Sequence, residues 1–167
     1  MEEFQSELVA LLPRLRRFAC ALVRSDADAQ DLVQETVERA LSRRHAWIPG
    51  TRLDSWTYTI MKRLFIDKNR ARRRWNRVMT PENDYTVLVA DVGQADEALR
   101  VDALAARNAI HALPEDQRLA VALVLVDGLS YAEAAGVMGV PVGTLTSRLV
   151  RGRQSLVETL ERQGVST

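Results

Sequence analysis

Residues 127–153 read DGLSYAEAAGVMGVPVGTLTSRLVRGR, and their punctuation decides the fold. Ser130 with Glu133 three residues on forms a capping box, which starts a helix by satisfying the orphan amides of its first turn. That helix is expected from Tyr131 to Met138, with a turn at Gly139-Val140-Pro141 and a second helix from Val142 to about Leu160. Two short helices joined by a tight glycine-containing turn are the sequence form of a helix-turn-helix. In such a motif the N-terminal part of the second helix enters the DNA major groove. Here that end carries Thr144, Thr146, Ser147 and Arg148, all able to hydrogen-bond, and then Arg151 and Arg153, which can neutralise phosphate. The helix N-terminus adds its own attraction for phosphate. A plain helical hairpin with an arginine-bearing face is the alternative, but turn, cap and polar helix start agree on DNA. Gly136, inside the first helix, should weaken it by about 1 kcal/mol relative to Ala.

Helical periodicity continues upstream. Val101, Leu104, Ala105, Ala109 and Ile110 build one helix, ended by Leu113-Pro114. Pro114 suits the first turn of the next, whose Arg118, Val121, Leu123, Val124 and Leu125 lead to a stop at Asp127-Gly128. Before these, from about residue 76 to 98, the period is lost. The stretch 81–98 holds five acids and no base, with Pro81 and Gly93 nearby or within, and reads as a connector. Its apolar run Val87-Leu88-Val89 is expected to dock onto something. The chain therefore divides into a domain over 1–78, a flexible acidic linker over 79–98 and a second domain over 99–167.

The first domain is also helical. Phe4, Leu8, Leu11 and Leu12 share a face, as do Leu15, Phe18, Ala19 and Leu22, with Pro13 expected to divide or kink the helix between them. Ser25 or Asp26 caps a helix to about Arg44, its core face being Leu32, Val33, Val37, Ala40 and Leu41. After the Pro49-Gly50 break, Asp54 caps a third helix, with Trp56, Ile60, Met61, Leu64 and Phe65 on its apolar side. No segment reads as a strand, so the fold class is all-α.

Charge is distributed unevenly. The whole chain of 167 residues has a formal net charge of +1, yet residues 1–80 carry 16 basic and 10 acidic side chains. Lys62, Arg63, Lys68, Arg70, Arg72, Arg73, Arg74 and Arg77 oppose a single acid, Asp67. That density on a helix suits a phosphate backbone. The aromatics Trp47, Trp56, Tyr58, Phe65 and Trp75 lie close by, and aromatic faces beside cations are what melted DNA stacks on, although Trp56 and Phe65 read first as core. Asp31, Gln34, Glu35 and Glu38 recur at spacings of three and four as an acidic stripe opposite their helix's apolar face, which by itself reads as solvated surface. The lone Cys20 excludes an internal disulfide and suits a reducing compartment, and the acidic N-terminus and lack of a long apolar run point to a cytoplasmic protein without membrane insertion. His45 and His111 are isolated, and no phosphate loop, nucleophile setting or paired carboxylate is evident, so neither enzyme, cofactor nor metal is expected.

Together the pieces resemble the extracytoplasmic-function (ECF, group IV) sigma factors of the sigma-70 family. Residues 29–37 (AQDLVQETV) look like region 2.2, Trp56 to Ile60 through Asp67 and the following arginines like regions 2.3 and 2.4, and Leu113-Pro114-Glu115 through Arg153 like region 4. The resemblance implies a dissociable specificity subunit of RNA polymerase, acting in transcription initiation and stress response. It implies that Asp31, Leu32, Gln34, Glu35 and Glu38 dock on the β′ clamp helices of core polymerase, with the β subunit also contacted. It implies that Trp56, Tyr58, Lys62, Arg63, Lys68, Arg70, Arg72 and Arg73 read the −10 element, with a base flipped from the melted strand. Tyr131, Thr144, Thr146, Ser147, Arg148, Arg151 and Arg153 would read the −35 element, and an anti-sigma factor would hold the protein in check. Arg63 stands where members often have Asn, and Thr146 where many have a base. The loop Trp47 to Thr51 resembles that of members linked to general stress responses in alphaproteobacteria. A stand-alone helix-turn-helix regulator leaves residues 25–77 unexplained, and a nuclease lacks its carboxylate or histidine cluster.

Overall fold

The structure, a computed structural model, describes residues 1–78 and 97–165. Every regular element among them is helical: α1 (Glu2–Leu22), α2 (Asp26–Ser42), a 3-10 turn (Arg44–Ala46), α3 (Leu53–Val78), α4 (Glu97–His111), α5 (Glu115–Val121), a π-helical turn (Ala122–Val126), α6 (Tyr131–Met138) and α7 (Val142–Arg162). The all-α expectation holds. Most of the acidic connector, with Val87-Leu88-Val89, lies outside the described residues.

Helices α1, α2 and α3 pack through their apolar stripes. On α1 these are Phe4, Leu8, Leu15, Phe18, Ala19 and Leu22, and the helix runs through Pro13 without division. Proline removes one intrahelical bond and frees the carbonyl four residues back. That residue is Val9, 63% exposed, so water can take the carbonyl. Ser25 caps α2, its Oγ accepting from the Asp28 amide at 3.0 Å. Leu41, expected in the core, is 39% exposed at the end of α2. Two hydroxyls are buried at no hydrogen-bond cost: Thr36 donates to the Leu32 carbonyl at 2.6 Å and Thr57 to that of Leu53 at 2.7 Å.

The helix-turn-helix is built as its sequence dictates. Ser130 Oγ accepts from the Glu133 amide and Glu133 Oε2 from the Ser130 amide, both at 3.1 Å. Gly139 closes α6 in the left-handed region at φ 67°, which a residue with a Cβ rarely adopts. Upstream, the regular α5 gives way to a π-helical turn, in which the Asp127 amide donates to the Ala122 carbonyl five residues back at 3.0 Å. The wider turn rotates the residues after it, so Leu125 leaves the face of Val121 and is 46% exposed, contrary to the periodicity. Val101, also expected in the core, is 59% exposed in the first half of α4.

The two halves share one core. Leu15, Phe18, Leu22, Tyr58, Met61 and Phe65 from α1 and α3 join Leu119, Val121, Leu123, Leu129, Ala135, Leu145 and Leu149 in a continuous apolar cluster. Each large side chain so buried contributes about 1.5–3 kcal/mol. Within the C-terminal half α7 lies close against α5 at Gly152, where a Cβ would stand 2.8 Å from Val121 Cγ2. At Gly136 a Cβ would meet nothing within 4 Å. Gly152→Ala should therefore destabilise the fold by about 1–3 kcal/mol through overpacking. Gly136→Ala should stabilise it by about 0.5–1 kcal/mol through helix propensity. Thermal unfolding of the two variants checks the pair, and equal midpoints would refute the close-approach reading of Gly152.

Candidate nucleic-acid interface

The exposed end of α7 is stiffened by its own side chains. Thr146 Oγ1 donates to the Val142 carbonyl at 2.8 Å and Ser147 Oγ to that of Gly143 at 3.1 Å. Their hydroxyl protons are thus spent within the helix, which leaves the oxygens as acceptors. Arg148 is held by Asp116 of α5, Nε to Oδ2 at 3.4 Å, a partner that residue spacing did not reveal. Asp116 fixes where that guanidinium stands before any DNA arrives. Arg151 and Arg153 are exposed, Thr144 is half-buried, and Tyr131 is exposed at the first position of α6. The expected −35 set is thus gathered at and around one helix, with Tyr131 on its partner.

Helix α3 carries the second basic surface. Asp67, Arg70, Arg73, Arg74 and Arg77 line an open cleft of about 500 Å³. Arg63 is exposed, and Lys62 is half-buried; burial, then the charge of Arg63, hold the Lys62 ammonium below the usual lysine range. Other members of the set already have acidic partners: Lys68 with Glu35 at 2.7 Å, Arg72 with Asp28 at 3.4 Å and Arg73 with Glu115 at 3.2 Å. Trp56 is half-buried and meets Phe4 edge-on, centroids 6.2 Å apart. Tyr58 corrects the expectation for it. It is 0% exposed, edge-on to Phe18 at 5.0 Å with the Arg14 guanidinium 5.6 Å above its ring, because it points into the core shared by the two halves. No base can stack on it in this arrangement.

On α2, Asp31, Gln34 and Glu38 are exposed, with Gln34 donating to Glu38 at 3.1 Å. Glu35 is bound to Lys68 and, at 3.6 Å, to Arg39. Leu32, placed with these residues by resemblance, is 1% exposed, because its position on the helix faces α1 and α3. Beside the stripe, α1 and α2 leave a cleft of about 780 Å³ bordered by Leu12, Cys20, Val33, Val37 and Glu38. Asp54, expected as a cap, is instead a buried ion-pair centre, 2.6 Å from Arg52 and 3.1 Å from Arg14. Burial opposes its ionisation, and the hydrogen bonds from Arg52, the Ser55 amide and Arg14 overcome that and hold its carboxyl below the usual range.

A helix-turn-helix with an arginine-bearing recognition helix, joined in one chain to a second basic helix and an acidic stripe on α2, is the layout of a sigma-70 family protein. The chain matches that family's region 2 over residues 8–76 and its region 4 over residues 103–156. It is 36% identical over 163 residues to the ECF RNA polymerase sigma factor EcfG of Rhodopseudomonas palustris, covering 98% of this chain and 88% of that protein. It is 31% identical to the RNA polymerase sigma factor CarQ of Myxococcus xanthus, covering 95% and 90%. Its fold is similar to that of the sigma factor RpoE from Bartonella quintana, solved in complex with the anti-sigma factor NepR, with a TM-score of 0.83 at 31% identity over 96% of this chain and 98% of that one. The chain belongs to the ECF group of RNA polymerase sigma factors, proteins of transcription initiation. Among the described residues no cluster of three or more His, Cys, Asp or Glu is placed to hold a metal ion, and no helix is long and apolar enough to cross a membrane.

His111 closes α4 against α1, its Nε2–H donating to the Cys20 carbonyl at 2.9 Å. Burial is the largest influence on its imidazole. That outweighs the Cys20 hydrogen bond and, with the charges of Arg107, Arg118 and Arg24, pushes its pKa down to about 4. In the unfolded chain the same ring protonates near 6.5. The stability that neutral His111 contributes is therefore complete above pH 6.5 and is lost as pH falls from there toward 4. Between pH 7 and pH 4.5 this group should remove about 1–3 kcal/mol of unfolding free energy. Urea titrations of the native chain and His111→Gln should diverge in slope across that window; parallel curves would exclude His111 as the cause.

Proposed function

We propose that this chain binds core RNA polymerase through region 2 and directs it to promoters, with residues 1–78 and 99–167 as the working domains and 79–98 as the linker between them. The observation that carries this reading is the distribution of charge: two arginine-bearing DNA faces, on α3 and α7, and a stripe on α2 of which Asp31, Gln34 and Glu38 stay exposed while Glu35 pairs with Lys68 of α3. Asp31, Gln34 and Glu38, with the apolar cleft beside them, suit the β′ clamp helices; the β subunit completes the contact with core. Arg63, Arg70 and the arginine-lined cleft of α3 suit the −10 backbone, and Thr144, Ser147, Arg148, Arg151 and Arg153 suit the −35 major groove. Neither Leu32 nor Tyr58 is included among residues acting from this arrangement. The chain works by binding free energy, favouring an unpaired base over a stacked one, and not as an enzyme.

The RpoE of B. quintana pairs with an anti-sigma factor, NepR, and by likeness an anti-sigma protein is a partner here. The Trp47–Thr51 loop supports a role in a stress response, and the cytoplasm, where polymerase works, is the proposed location.

Run-off transcription with purified bacterial core polymerase and a pool of host promoter fragments tests the reading. Defined transcripts should appear only when this protein is added. With those fragments, Arg148→Ala should weaken promoter binding by about 1–3 kcal/mol at physiological salt. Glu38→Lys should reduce co-migration with core polymerase while leaving the circular dichroism unchanged. Absence of both transcripts and co-migration would reduce the protein to a duplex-DNA regulator.

A further inference from the structure

Residues 71–78, the last two turns of α3, are exposed at every position. A helix that has left its neighbours behind is expected to turn polar all round. This one keeps an apolar line. Ala71, Trp75 and Val78 follow at spacings of four and three, so they share a face. That face continues the one on which Leu64, seven residues before Ala71, is 2% exposed. Trp75 is 63% exposed and Val78 84%. Among the described aromatic residues of the N-terminal half, Trp75 alone is exposed: Phe4, Phe18, Tyr58 and Phe65 are buried, and Trp47 and Trp56 are half-buried. The ring contacts among the described residues tie Phe4 to Trp47 and Trp56, and Phe18 to Tyr58, and leave Trp75 out.

The charge around this line has one sign. Residues 68–78 hold Lys68, Arg70, Arg72, Arg73, Arg74 and Arg77 and no acid. Lys68 and Arg72, four apart, border the line on one side. Arg70, Arg74 and Arg77, which line the open cleft, border it on the other. A flat apolar strip between two cationic rows fits a ligand that is flat and apolar in its middle and anionic along its edge. A nucleotide strand has that form, with bases for the indole and phosphates for the rows. The convex shape of a lone helix decides between strands. Bases within a duplex are already stacked, and a side chain that enters between them must unstack them at a cost. An unpaired base offers a free face.

We propose that the end of α3 is a stacking site for an unpaired base of a nucleic-acid strand, with the Trp75 indole as its platform and Arg72 and Arg74 neutralising the phosphates on either side. The proposal rests on the reading of α3 as a DNA face, and it gives Trp75 the stacking role that burial denies Tyr58. Arg72 is free to take part. Its partner is Asp28 at 3.4 Å, and the two side chains are 65% and 44% exposed, so a phosphate replaces the carboxylate at small cost. The site needs no rearrangement of the fold, because its ring and its cations are exposed as the chain stands.

The test uses the full chain and fluorescence anisotropy with three probes: a short mixed-sequence single-stranded DNA, its duplex, and an abasic strand of the same length. Trp75 lies outside the core, so Trp75→Ala should keep the native thermal midpoint. It should weaken binding of the single strand by about fivefold or more and leave binding of the duplex and the abasic strand unaltered. Trp75→Phe should recover most of that loss. Because no cation is removed, the salt dependence of Trp75→Ala should match that of the native chain, whereas Arg74→Ala should flatten the single-strand slope by about 0.7. Unchanged single-strand affinity in Trp75→Ala, or an equal loss on all three probes, would overturn the stacking site. The reading of α3 as a DNA face survives that result if Arg70→Ala still weakens binding. Indifference to Arg70→Ala as well would overturn both.

Discussion

A helix that ends inside a protein must have its last carbonyls met, and α1 ends where the chain has no local means of meeting them. It stops at Leu22 without a glycine cap or a basic residue in its last turn. His111 and Arg118, from almost ninety residues and more further along, supply the donors. The two terminal nitrogens of Arg118 are spent on backbone: Nη2 also donates to the carbonyls of His111 at 2.8 Å and Leu113 at 3.0 Å, tying the α4–α5 corner to the end of α1. The shared apolar core, the burial of His111 and the burial of Tyr58 all depend on that corner being seated. The arrangement joins by hydrogen bonds two helical units that, by their sequence, could each have closed on themselves.

What was legible in the sequence was what is decided within a few residues. The capping box of Ser130 and Glu133, the left-handed Gly139 and the Ser25 cap are satisfied by neighbours in the chain, so their spacing alone announces them. Positions whose environment is set by a distant helix were not legible. Leu41, Val101 and Leu125 carry the right period but stay exposed, while Leu32 and Tyr58, placed on functional surfaces by resemblance, are taken into the core. Asp54 looked like a cap because it precedes a helical run; two arginines, one of them forty residues earlier, make it an ion-pair centre instead. Asp127 looked like a helix stop, and it is one, but the π-helical turn before it sets where its carboxylate points, and no periodicity rule contains that turn.

Electrostatics explains why a chain with a net charge of +1 can act as a DNA-binding protein at all. Its acids are not spread as a neutralising background. Glu35, Asp28 and Glu115 hold individual cations of α3, and Asp116 holds Arg148 of α7. Paired at the surface, such contacts contribute little to stability. Their value is orientational: each long side chain is held in one place at small cost and can exchange its carboxylate for a phosphate. The residues left exposed, Arg63, Arg70, Arg151 and Arg153, present unshared charge between these held ones.

The close approach at Gly152 gives α7 the mechanics of a lever. A contact without a side chain is a narrow bearing: it resists translation along the neighbouring helix but opposes rotation only weakly. The reading end at Val142 lies ten residues away, about 15 Å along the axis. A tilt of about 4° about that pivot displaces the tip by about 1 Å, the scale on which a hydrogen bond to a base edge is kept or broken. Fidelity in the groove is thereby delegated to what seats the arm between pivot and tip: Leu145 and Leu149, buried in the core, with the pair of Arg148 and Asp116 orienting the side chain midway along it.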